Sequence, residues 1–126
     1  MGAKKDHTKL PVFLKADELV LEVYRATEPM ADDGVGGWLR RGGPGSGLRS
    51  AIRSAVSGIP LTIMEACRSE RRAEYDEVIA MATEDATEAR YMVSIAGRLG
   101  KIDAYERLLE RFDAVIRDLE EETKSA

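Results

Sequence analysis

The sequence predicts an all-α fold, an antiparallel up-down-up-down four-helix bundle with a long Gly-rich connection between helices 1 and 2. Three observations carry that prediction. Four segments repeat apolar residues at i, i+3, i+4 spacing, the pattern of an amphipathic helix, and none alternates apolar and polar residues as a half-buried strand does. The connections after the second and third helices are short, which makes those neighbours antiparallel. The composition, 44% hydrophobic and 33% charged with only two Phe and one Trp in 126 residues, is that of a helical domain rather than a β-sandwich.

Residues 1–12, opening "MGAKKDHTKLP", show no periodicity and read as a flexible lead, with residues 13–126 forming the bundle. The first helix spans about 13–28. Phe13, Ala16, Leu19, Val20, Val23, Tyr24 and Thr27 line its inner face, and Pro29 disfavours helical geometry in the residue before it. "MADDGVGGWLRRGGPGSG" follows, with seven Gly and one Pro in 18 residues, a connection unusually long for a compact helical domain. Trp38-Leu39 within it is a candidate anchor onto the bundle. "GGPGSG", residues 42–47, has a linker composition that fits a native loop and an engineered one equally.

The second helix covers about 48–68, with Leu48, Ile52, Ala55, Val56, Ile59, Ile63 and Ala66 on one broad face. Gly58-Ile59-Pro60 sits in its middle, although proline lacks an amide and crowds the turn before it. The expectation is a bend that lets the helix wrap its neighbours, with Gly58 leaving room for a close crossing and Thr62 or Ser57 compensating the freed carbonyl through water. Ser69 reads as an N-cap for a third helix over about 70–99. Its main stripe is Tyr75, Val78, Ala82, Ala89, Met92, Ala96 and Leu99, interrupted by Asp85, for which Arg53 is a candidate partner. Gly100 is a plausible C-cap. "DAYE", Asp103 to Glu106, reads as a capping box opening a fourth helix over about 104–122, with Leu108, Leu109, Phe112, Val115, Ile116 and Leu119 inward.

"LRSAIRSAVSGIPLTIMEACRSERRAEYDEV" and the later "IAGRLG" together resemble a known family. It is the small four-helix-bundle proteins encoded by intervening sequences in bacterial large-subunit ribosomal RNA genes. Their superfamily includes the accessory variability proteins of diversity-generating retroelements. The resemblance rests on Arg53, Ile59, Pro60, Ile63 and Glu65, then Glu88, Ile95, Ala96, Leu99 and Gly100, and the first helix fits as well. An Asn and a Gly of the family segment stand here as Thr62 and Ala66, and the Gly-rich loop is longer. The resemblance implies a ring-forming, typically pentameric bundle, with RNA or a reverse-transcriptase-like protein as partner. A proline retained in the second helix belongs to the same pattern.

Several chemistries are excluded by residue type. His7, in the lead, is the only histidine, so the Glu-x-x-His pairs of a di-iron bundle and a Cys–His nucleophile cannot be assembled. Zinc needs several Cys or His. "GGPGSG" lacks the Lys-Ser/Thr of a phosphate-binding loop. No catalytic residue, metal ligand or cofactor is therefore assigned. The carboxylates Glu77, Glu84 and Glu88, with Glu74 and Asp85 beside them, share one side of the third helix. They leave a Mg²⁺-dependent all-α hydrolase as the least favoured alternative.

Charge is uneven. Residues 36–72 hold seven Arg against two Glu, a net of +5, and residues 73–126 hold 14 acids against seven bases, a net of −7. Such a layout either steers a polyanion, attracts subunits head to tail, or is simply a solvated surface. Arg49, Arg53, Arg68, Arg71 and Arg72 are the candidate nucleic-acid contacts, by phosphate rather than by base stacking. Met81, Tyr91 and Ile95 form a second apolar set on the third helix and are the candidate oligomer face. The lone Cys67 admits no intrachain disulfide, which points to a reducing, cytoplasmic setting. The first 15 residues are too polar for a secretory signal, and no run reaches membrane-spanning length. The expected function is a non-enzymatic, oligomeric accessory or scaffold protein. The alternative is a protein–protein interaction module without nucleic-acid binding, which the acidic pI of about 5.1 favours.

Overall fold

The computed structural model describes residues 4–30 and 47–124. Arg40, Arg41, the Trp38-Leu39 anchor and the Gly-rich connection, apart from its ends at Met30 and Gly47, lie outside those residues. The chain is all-helical, with four helices and no strand among the described residues: α1 Pro11–Ala26, α2 Leu48–Cys67, α3 Arg72–Arg98 and α4 Tyr105–Lys124. α2 packs most extensively on α3, α3 on α4, and α1 on both α2 and α4. Among the described residues no Cα atoms of α1 and α3, or of α2 and α4, approach within 8 Å. Each helix therefore buries one face shared between two neighbours.

The lead is less independent than its composition implies. α1 starts at Pro11, where a missing amide costs a helix nothing. Before it, His7–Lys9 forms a 3-10 turn capped by Asp6, whose Oδ1 accepts from the amide and the hydroxyl of Thr8. Those two bonds hold the Asp6 carboxyl below its usual range. The amide of Lys5 donates to the carbonyl of Cys67 at 2.9 Å, and the His7 ring stands edge-on to Phe13 at 4.7 Å.

The core is built from Leu19 and Val23 of α1, Leu48, Ile52, Val56, Ile59 and Ile63 of α2, Ile79 and Val93 of α3, and Phe112 and Leu119 of α4. α3 faces it with Tyr75, Ile79, Ala82, Ala86, Ala89, Val93 and Ala96. That is a 4-3 heptad seam, and half of it differs from the expected stripe. Tyr75, Ala82, Ala89 and Ala96 hold, and Met92 is buried too. The second column is Ile79, Ala86 and Val93 rather than Val78, Asp85 and Leu99. Leu99 lies past the last turn and is 56% exposed. Asp85 therefore does not interrupt the core. It accepts a hydrogen bond from the Thr62 hydroxyl at 2.8 Å, and Arg53, its expected partner, is engaged elsewhere. In α1, Tyr24 is exposed instead of inward and supports Arg53 with its ring.

α2 runs through Pro60 as one helix. Pro60 has no amide to offer the carbonyl of Val56 one turn back, and Thr62, with its hydroxyl committed to Asp85, does not compensate it directly. Gly58 is not a steric necessity: a Cβ there would meet Asp85 at 3.7 Å, an ordinary contact. The glycine that does matter is Gly97, where a Cβ would drive into the Tyr105 ring.

The helix ends also differ from the sequence reading. Arg71, not Ser69, precedes α3 and gives no side-chain cap, because the chain takes Arg68 to Arg71 to reverse direction. α3 ends in a Schellman motif: Gly100 at φ 77° donates to Gly97, and Lys101 donates to Ala96, both at 2.9 Å. Gly100 therefore stands one residue beyond the C-cap, Leu99. The residue immediately before α4 is Ala104, left-handed at φ 54°, so the Asp103–Glu106 capping box is not the geometry at that end.

Candidate functional site

The five candidate arginines do not form one patch. Arg49 and Arg53 lie in the first turns of α2, and Arg68 caps its far end, about 28 Å from the first and about 22 Å from the second at 1.5 Å per residue. Arg53 is used internally. Its Nε donates to Thr27 Oγ1 at 2.9 Å, and its Nη2 donates to the Tyr24 carbonyl at 2.9 Å and to Glu28 Oε1 at 3.2 Å. Its guanidinium also sits 4.5 Å from the centre of the Tyr24 ring. Arg49 pairs with the same Glu28 at 3.5 Å, while its Nε is buried without a hydrogen-bond partner.

At the other end Arg72 is also spoken for. It pairs with Asp76 at 2.9 Å, donates to the Glu122 carbonyl at 2.6 Å and stacks over Tyr75. Tyr75 donates its phenol to Glu122 Oε1 at 2.7 Å. That contact and the burial of the ring, burial first, push the phenol well above its usual range. Arg68 and Arg71 are exposed and line a shallow depression of about 670 Å³ with Lys4, Ser69, Glu65, Glu70 and Glu74. Three basic groups there meet three acidic ones, and Lys4 lies 3.8 Å from Glu70. The depression carries no uniformly positive surface, which is what phosphate binding draws on.

The outer side of α3 is different. Met81 is 51% and Tyr91 58% exposed, with Ile95 half-buried in the next turn. Glu77 and Glu84 are exposed and Glu88 half-buried along the same side. Among the described residues no group of three or more His, Cys, Asp or Glu is placed to hold a metal ion. Leu61 of α2, 61% exposed, adds another bare apolar side chain. It lies off the inward face that the sequence marks on this helix, and helical periodicity assigns it no role.

Cys67 is buried, and burial pushes its thiol above the usual value, so it stays protonated and unreactive near neutral pH. None of the described helices is long and apolar enough to cross a membrane. A further feature escaped the sequence altogether, because it joins residues about 80 apart. Arg25 at the end of α1 and Arg107 at the start of α4 line one cleft of about 390 Å³.

No protein-family model matches the chain, and no curated protein matches it.

Proposed function

We propose that the chain is a non-enzymatic helical assembly module, an up-down-up-down bundle whose copies associate through the outer face of α3. The observation that carries this reading is the exposure of Met81 and Tyr91 beside Ile95, on a helix whose opposite face is already spent on α2 and α4. Large apolar side chains held in water on one face are the surface that association removes. The alternating direction of the helices is supported by residue pairs. Lys15 meets Asp118 while Glu22 meets Arg111, and Arg90 meets Asp113 while Tyr75 meets Glu122. The acidic rim of Glu77, Glu84 and Glu88, with exposed Arg68 and Arg71 one helix turn-around away, favours head-to-tail contacts, which close into rings. A cytoplasmic pentamer is the form that the resemblance to the ribosomal intervening-sequence family adds. The test is sedimentation of the purified chain beside Met81→Glu with Tyr91→Glu. The expected result is an oligomer that the double variant reduces to a monomer of unchanged helicity. A monomeric parent chain at tens of micromolar overturns the reading.

A second reading, RNA or a reverse-transcriptase-like protein as partner, rests on Arg68 and Arg71, the two candidates left exposed. Fluorescence anisotropy against a structured RNA at about 50 and 200 mM salt separates it from the first. Binding that collapses with salt and is lost in Arg68→Glu with Arg71→Glu supports it. Flat traces at both salts remove it.

A further inference from the structure

A cleft between the end of α1 and the start of α4 combines an apolar lining with two guanidinium groups that have no partner among the described residues. Its floor is Ala26, Ala104 and Leu108, and its volume, about 390 Å³, falls in the range of small-molecule sites. Three arginines, Arg25, Arg107 and Arg111, face Glu22 and Asp103 around the rim, a net of +1. Arg111 is neutralised by Glu22 at 3.0 Å. Arg25 and Arg107 are both exposed, and neither guanidinium makes an ion pair or hydrogen bond among the described residues. Arg53, Arg72 and Arg90 are by contrast tied down by hydrogen bonds within the chain. The N-terminus of α4, beginning at Tyr105, adds the positive end of its dipole beside the same rim.

We propose that this cleft binds a small amphipathic monocarboxylate, its carboxylate between Arg25 and Arg107 and its apolar body over Ala26, Ala104 and Leu108. The two guanidinium forks match one carboxylate, since Asp103 cancels one of their two charges and leaves room for a single negative charge. A polyanion gains less here, because Glu22 and Asp103 stand within the same rim and repel additional charge. The apolar floor gives binding energy to a hydrocarbon or aromatic body and none to a sugar or phosphate chain.

The test is calorimetric titration with decanoate, kept below its micellar concentration, on the full chain, with decanol as the neutral control. The expected result is one saturable site per chain for decanoate and at least roughly tenfold weaker binding of decanol, the size of one lost charge-assisted contact. Arg25→Gln with Arg107→Gln should bring decanoate down to the decanol level at an unchanged thermal midpoint. Arg25→Lys with Arg107→Lys should retain most of the affinity. Equal binding of decanoate and decanol overturns the proposal, as does undiminished decanoate binding in the Gln variant or no saturable binding at all. The comparison of acid with alcohol uses the unaltered chain and decides the question even where a variant folds poorly.

Discussion

Arg53 and Thr27 satisfy one another: the guanidinium Nε donates to a hydroxyl that itself donates to the Val23 carbonyl at 2.8 Å. Thr27 is a buried polar side chain of this core, at 0% exposure. The pair ties the last turn of α1 to the first turns of α2 across the end of the Gly-rich connection. Thr27→Val keeps the shape and removes the acceptor, leaving a half-buried charged donor unpaired. The expected loss is about 1–2 kcal/mol in urea denaturation, from the cost of an unsatisfied partner. Arg49, one turn earlier, supplies the contrast. Its buried Nε has no partner to lose, so Arg49→Met, which keeps the stem, should leave the urea midpoint level or raise it. Similar losses for Thr27→Val and Arg49→Met would show that the bond between Arg53 and Thr27 is not what distinguishes these sites.

Gly97 and Tyr105 set how closely α3 and α4 approach at their shared end. A methyl group at Gly97 overlaps Cγ and both Cδ atoms of Tyr105, the root of the ring rather than its flexible far end, so relief needs the side chain or the helix to shift. Gly97→Ala should therefore destabilise by about 1–3 kcal/mol, the range of overpacking, although alanine is the better helix former by about 1 kcal/mol. Adding Tyr105→Ala should recover part of the loss, so that the double variant is more stable than the sum of the singles. Additive effects in a double-mutant cycle would place the strain elsewhere.

Those residues mark where the sequence was legible. The four helices and their order follow from 3.6-residue periodicity, and the apolar columns of α1, α2 and α4 were read nearly as they pack. α3 went half wrong because Val78, Asp85, Met92 and Leu99 compete with Ile79, Ala86 and Val93 for the same seam. A 3-4 and a 4-3 spacing differ by one residue, and alanine-rich helices separate them weakly. The better choice was present in the residues themselves, since only the second column avoids burying a carboxylate. Tyr24 falls at the i, i+4 spacing of the inward residues, and the Arg53 guanidinium over its ring accompanies its exposure. The split of the arginine cluster and the cleft of Arg25 and Arg107 depend on which helix ends meet, and periodicity along one helix contains nothing about that. Ser69 and Asp103 do not cap for a related reason: the chain runs on to Arg71 and to Ala104 before α3 and α4 begin.

Tyr75 gives a pH dependence whose direction can be worked out. Its phenol is buried and donates to Glu122, and both effects raise its pKa in the folded chain above the value near 10 of an unfolded tyrosine. The neutral phenol is thus favoured by folding. The stability it contributes is fully present below about pH 10 and is lost as pH rises from there toward the folded value. The Cys67 thiol is shifted in the same direction by burial, and its loss begins nearer pH 8.5, where an unfolded thiol ionises. The unfolding free energy from urea titrations should therefore be level from pH 7 to 8, fall gently above pH 8.5 and fall more steeply above pH 10, by up to about 1.4 kcal/mol per pH unit for each group. Cys67→Ala should remove the first decline. Tyr75→Phe should flatten the second, on a baseline lowered by the lost bond to Glu122. A Tyr75→Phe chain that still loses stability above pH 10 as steeply as the parent would mean that other groups govern the alkaline limb.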